Sequence, residues 1–158
     1  MRENSARKGG NTERPHMQRM TKSFALDCSV ALTWAFQDEA TAASDRLLDT
    51  LTAGAEAWVP ALWHLELGNV LIGARRRGRI DQAGIEGFLG NLGNYKILVD
   101  GETMSRAWGK TLDLAEQHKL STYDAAYLEL AMRRGIPLAT LDAGLKKAAT
   151  AAGVSLCL

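Results

Sequence analysis

The 158-residue chain is 46% hydrophobic and 23% charged, with a formal net charge of +1, a composition that fits one globular domain with its own core. Its two cysteines, Cys28 and Cys157, form no C-x-x-C pair, which argues against a disulfide scaffold or a zinc site and makes a reducing cytoplasm the expected compartment. No apolar run is long enough to cross a bilayer and no signal-peptide core is present, so no membrane partner is expected.

The charge is unevenly placed. Residues 1–22 hold six Lys/Arg against two acids (+4), and residues 23–158 hold thirteen against sixteen (−3). Bulk charge therefore does not make the folded part a basic nucleic-acid binder; action on nucleic acid would need local clusters and a metal. Residues 1–21 are polar, contain Gly9-Gly10 and Pro15, and lack hydrophobic periodicity. They read as a disordered head, a tag remnant or an overlong start, with Met17 and Met20 as alternative starts. Residues 22–158 read as one domain.

From residue 22 short apolar runs alternate with helical patterns. Ser23-Phe24-Ala25-Leu26 is a strand ending at Asp27. Val30–Phe36 and Thr41–Leu51 are helices, the second with Ala42, Leu47, Leu48 and Leu51 inward. Ala57-Trp58-Val59 is a strand closed by Pro60, and residues 61–77 form a helix with Trp63, Leu67, Val70, Leu71 and Ala74 at helical spacing, stopped by Gly78. A glycine-weakened helix over 81–92 and a strand over 96–99 follow. Residues 103–118 read as one helix, and 123–134 as another, ended by Gly135 and Pro137 in the order expected at a C-terminus. Residues 138–140 are a strand, 142–152 a helix, and 154–158 a last strand. Trp58, Trp63 and Trp108 read as core. Short, wholly apolar strands alternating with helices predict a three-layer α/β/α sandwich on a parallel sheet.

Four acids fall where a strand or loop hands over to a helix: Asp27, Glu66, Asp124 and Asp142. In such a sheet these points share the carboxyl edge, where ligands bind. Each acid has an ordinary explanation. Asp27 and Asp142 fit helix N-caps, Asp124 with Ser121 makes a near capping box, and Glu66 favours the dipole of its helix. Glu66, however, lies beside Trp63 and Val70 on the apolar stripe, and a half-buried carboxylate needs a partner, for which Asn69 is placed. Independent caps do not explain all four at one edge. Carboxylates crowded together raise one another's pKa values, and a divalent cation keeps them ionised.

The motifs L-D-C-S-V at Asp27, V-P-A-L-W-H-L-E-L-G-N-V-L at Glu66, S-T-Y-D-A-A-Y-L-E-L-A at Asp124 and L-A-T-L-D at Asp142, with R-R-R-G-R-I after the Glu66 helix, resemble the PIN-domain metal-dependent ribonucleases, most of all the VapC-type toxins of toxin–antitoxin pairs. The resemblance covers roughly residues 23–158. It implies a Mg²⁺- or Mn²⁺-dependent endoribonuclease whose metal-binding acids map onto Asp27, Glu66, Asp124 and Asp142, with supporting hydroxyls at Ser29 and Thr140. It also implies a small cognate antitoxin, a homodimer, a tRNA or rRNA target, and products with a 5′-phosphate and a 3′-hydroxyl.

Within that frame Asp27 and Asp124 are expected as direct ligands, and Asp142 as a ligand directly or through water. Glu66 is expected to hold the attacking water or take its proton. Ser29, Asn69 and Thr140 would orient these carboxylates. Arg75, Arg76 and Arg79 are candidates for phosphate contact, weighed against solvated cations at a helix C-terminus. Cys28 reads as a small buried hydrophobe, since no basic neighbour activates it. Three other readings remain at this stage: a PIN nuclease that processes RNA without being a toxin, a Mg²⁺-dependent phosphoryl-transfer protein, and a binding module whose acids are caps. The second lacks both an acid beside Asp27 and a strand-end lysine.

Overall fold

The computed structural model describes residues 22–158. Four short strands form one parallel sheet in the order β3-β2-β1-β4. They are β1 (Ser23–Leu26), β2 (Glu56–Val59), β3 (Lys96–Val99) and β4 (Leu138–Ala139). Ala25 pairs with Trp58 of β2 on one side and with Leu138 of β4 on the other, which makes β1 an inner strand. Phe24, Ala25 and Leu26 are each fully buried. Successive side chains point to opposite faces, so both faces of β1 are covered by helices, as an apolar parallel strand requires.

The helices are α1 (Cys28–Thr33), α2 (Ala42–Thr52), α3 (Trp63–Arg76), α4 (Gln82–Leu92), α5 (Thr103–Arg106), α6 (Lys110–His118), α7 (Thr122–Arg134) and α8 (Ala143–Ala151). Helix α7 is the most deeply set: every residue from Ala125 to Ala131 is buried. It stops where Gly135 takes a left-handed φ of 61°, a conformation glycine adopts at little cost.

The elements follow the sequence expectation with four corrections. The helix expected over 103–118 is two, because the chain breaks at Ala107–Gly109 and Gly109 leaves the helical region (φ −117°, ψ −109°). That break leaves Trp108 94% exposed and not in the core. The expected last strand is a single bridge, Leu138 to Leu156, held by hydrogen bonds from Leu138 to Ser155 and from Cys157 to Leu138. On α2, Ala42 is exposed and the buried place goes to Ser44, which forms a reciprocal capping box with Thr41. The predicted head lies outside the described residues.

A buried ion cluster ties α7 to the chain after β3. Asp100 directly follows β3 and is 1% exposed; Arg133 donates to it at 2.8 Å and Arg134 at 3.2 Å. Arg133 also pairs with Glu129 and Glu102, each at 2.8 Å. Arg134 stacks over Trp58, 3.4 Å from the ring centre. Burial alone would raise the Asp100 carboxyl, but the two guanidinium groups hold it below the usual carboxylate range.

Candidate active site

Sheet order reverses between β1 and β4, since β2 and β3 extend from one side of β1 and β4 from the other. The crevice outside the carboxyl ends of strands at such a switch point is where open α/β sheets bind ligands. The residues emerging there are Asp27, after β1, and Thr140, after β4.

Asp27 occupies the cap position of α1 but its side chain makes no capping hydrogen bond. Its Oδ2 instead accepts from Ser29 Oγ at 2.6 Å and from Thr140 Oγ1 at 2.7 Å. These hydroxyls are fixed in turn: the Leu141 N–H donates to Ser29 Oγ at 3.0 Å, and the Asp142 N–H to Thr140 Oγ1 at 3.1 Å. Asp27 is thus 6% exposed and held by two hydroxyls across the β1–β4 junction. Burial raises its carboxyl above the ordinary value, and the Asp124 charge adds to this. The two hydroxyls pull the other way without winning.

Glu66 projects from the first turn of α3 and is half-buried. The partner expected for it, Asn69, is exposed and does not reach it. The Tyr127 hydroxyl of α7 donates to Glu66 Oε1 at 2.8 Å instead. Burial raises the Glu66 carboxyl, the Tyr127 bond lowers it, and the charges of Asp27 and Asp124 raise it further. Tyr127 is itself fully buried, which pushes its phenol well up. Its hydroxyl also lies 3.6 Å from Cys28 Sγ, which donates to the Trp63 carbonyl at 3.3 Å. Burial lifts the Cys28 thiol to about 12, so it stays protonated and is no nucleophile.

Asp124 sits in the first turn of α7, with its N–H capped by Ser121 Oγ at 3.1 Å. The capping is done by Ser121, which leaves the Asp124 carboxylate free of that role. It acts electrostatically on both Asp27 and Glu66, so these three acids form one group. Asp142 is exposed and caps α8, its Oδ1 accepting from the Leu145 N–H at 2.7 Å. Only its backbone is tied into the hydroxyl network.

The contrast with Asp100 bears on what the site holds. Both aspartates are almost wholly buried, but Asp100 is neutralised by two arginines. Among the described residues no Lys or Arg pairs with Asp27, Glu66 or Asp124. A buried carboxylate group without a counter-charge, and with all-oxygen donors, fits a hard divalent cation. Among the described residues no three acid, imidazole or thiol groups converge tightly enough to make a ready cage. A bound ion would therefore have one or two carboxylates, with water completing its sphere. A cavity of about 380 Å³ beside Gly135, Pro137 and Gly153 lies by the amino end of β4 and has no titratable side chain in its lining.

The arginines after α3 differ from one another. Arg79 is held by Glu39 and Asp38, both at 2.7 Å, and stacks on Phe36 at 4.2 Å. Arg75 donates to Gln82 at 2.6 Å. Arg76 is exposed and makes no side-chain hydrogen bond among the described residues.

Sequence reading missed Tyr127 and Asp100. Tyr127 stands three residues after Asp124, a spacing that puts both on one helix face and could have flagged it. Asp100 ends a strand as Asp27 does, but the chain beyond it turns to arginines that sequence alone does not pair with it.

Comparison with known proteins agrees with this fold. No curated protein matches the chain. Among solved structures, PAE2754 from Pyrobaculum aerophilum is 22% identical, with a TM-score of 0.60 over 82% of this chain and 86% of that one. A toxin-antitoxin complex from Klebsiella pneumoniae is 16% identical, with a TM-score of 0.56 over 85% and 98%. VapBC2 from Rickettsia felis, bound to a DNA fragment from its promoter, is 13% identical, with a TM-score of 0.58 over 85% and 96%. At these identities the likeness is one of fold. Residues 24–151 match the family described as PIN domain, and the chain belongs to that family.

Proposed function

We propose that this protein is a Mg²⁺- or Mn²⁺-dependent endoribonuclease and the toxin of a toxin–antitoxin pair. The observation that carries the reading is the group of Asp27, buried, and Glu66 and Asp124, half-buried, at the sheet's switch point, which no Lys or Arg pairs with among the described residues. Asp27 and Asp124 would hold the ion, with Asp142 joining directly or through water. When bound, the ion would neutralise the phosphate charge and activate water at neutral pH. Glu66 orients the attacking water and accepts its proton. Ser29 and Thr140 keep Asp27 aimed. Arg76 is available to a phosphate, whereas Arg79 is engaged by two acids and Arg75 by a glutamine. Cleavage on this scheme leaves a 5′-phosphate and a 3′-hydroxyl on a tRNA or rRNA target.

The toxin reading is supported by the PIN family and by a fold neighbour described as a toxin-antitoxin complex. A small antitoxin would insert an Arg or Lys among the carboxylates in place of the ion. The groove of about 300 Å³ lined by Trp34, Leu48, Phe88, Leu92 and Tyr95 suits the apolar face of a partner helix. Trp108 and Met104, 94% and 76% exposed, support a homodimer. No helix among the described residues is long and apolar enough to cross a membrane, and we assign the activity to the cytoplasm.

The test is cleavage of single-stranded RNA by purified, partner-free protein. Activity with Mg²⁺ or Mn²⁺ that stops with EDTA is expected; full activity in EDTA would refute the metal reading. Co-expression with the adjacent small reading frame should give a stable, inactive complex.

A further inference from the structure

Glu66 is carried by α3, and a glutamate has three rotatable side-chain bonds. Being half-buried narrows its positions without choosing one. Among the described residues its one side-chain hydrogen bond comes from Tyr127, 61 residues further on, whose hydroxyl meets Oε1 at 2.8 Å. Tyr127 is fully buried and its neighbours on α7, Ala126, Leu128 and Leu130, are buried with it, so the donor cannot drift. The same helix carries Asp124 one turn earlier. Helix α7 therefore bears one acid of the site and the anchor of a second, and fixes their relative place. The bond occupies Oε1 and leaves Oε2 for the site.

We propose that Tyr127 is a positioning residue: its hydroxyl sets the rotamer of Glu66, and through Glu66 the water by which the site also grips the divalent ion. The inference rests on the nuclease reading above. A merely structural tyrosine would need the bond only to satisfy its own hydroxyl, and its loss would lower stability without reaching the metal.

Mn²⁺ binding to metal-free protein, followed by the electron paramagnetic resonance signal of free Mn²⁺, separates the two. The proteins are wild type, Y127F, E66A and the double variant, each checked by circular dichroism melting. Y127F should weaken Mn²⁺ binding by about tenfold, and kcat for RNA should fall with KM unchanged. In the E66A background Y127F should weaken Mn²⁺ no further, because an effect transmitted through Glu66 disappears with it. Wild-type affinity in Y127F, or an undiminished loss on top of E66A, overturns the proposal. If Y127F does not fold, Y127M removes the same hydroxyl while keeping an apolar side chain in the core, and its Mn²⁺ affinity is read with and without E66A in the same way. A tenfold loss that vanishes with E66A then supports the proposal, and wild-type affinity overturns it. Wild-type protein that neither binds Mn²⁺ nor cuts RNA refutes the nuclease reading as well, an outcome distinct from a Y127F failure alone.

Discussion

Replacing Asp27 by asparagine should make the metal-free protein more stable and remove its response to metal. The raised Asp27 and Glu66 carboxyls mean that the folded state holds their protons more tightly than the unfolded chain does. Their contribution to stability is fully present below the ordinary values, about 3.9 and 4.3, and is lost as pH rises through the folded-state values. Asp100 and Glu102 have lowered values and act oppositely; their contribution is present above the ordinary range and is lost as pH falls through their depressed folded-state values. The two effects occupy different windows, so above about pH 4 the decline belongs to the site acids. D27N removes part of that decline, and in EDTA at pH 7 its melting temperature should exceed that of wild type. Metal reverses the order. A ligand at 100 times its Kd stabilises by about 2.7 kcal/mol, and a domain of this size gains about 3 °C per kcal/mol. Mn²⁺ should therefore raise the wild-type midpoint by roughly 8 °C. It should move D27N by less than about 2 °C. Melting curves in EDTA and in Mn²⁺ at pH 5 to 8 give both numbers. Equal Mn²⁺ stabilisation of the two proteins, or a less stable D27N in EDTA, would refute the argument.

Four further outcomes are expected. E66Q and D124N should each lose at least about 100-fold in RNA cleavage while melting close to wild type; a variant that unfolds instead marks its acid as structural. S29A and T140V, which free Oδ2 of Asp27 from a hydroxyl, should each weaken Mn²⁺ binding or activity by about 10- to 100-fold, read by titration of the metal. In a denaturant titration R133A should cost roughly 3–5 kcal/mol, because Glu129 stays buried without its guanidinium and Asp100 keeps only Arg134. R79A, whose partners Asp38 and Glu39 are solvent-exposed, should cost less than about 1 kcal/mol in the same denaturant titration.

Asp27, Glu66 and Asp124 could be singled out because each stands where a strand or loop hands over to a helix, whereas Asp142, chosen by the same rule, is exposed and caps α8. Ser29 and Thr140 came from the family resemblance alone, each two residues from an acid, Asp27 or Asp142. Partners across the fold were not. Asn69 was chosen for Glu66 by helical spacing, but the bond came from Tyr127 on another helix, and no local rule ranks a contact 61 residues away. Trp108 was misread because large apolar residues default to the core and Gly109 was taken as part of a helix it ends. The strand over 154–158 had the right composition, but it meets the sheet at one bridge beside a two-residue β4.

The bond from Thr140 to Asp27 spans 113 residues and joins the first strand to the last. During synthesis β1 emerges 113 residues ahead of the hydroxyl that holds its aspartate. Until Thr140 is made, Asp27, Glu66 and Asp124 are all present but the bond that fixes Asp27 is not. The order of the site is thus tied to the arrival of β4, the strand that brings Thr140.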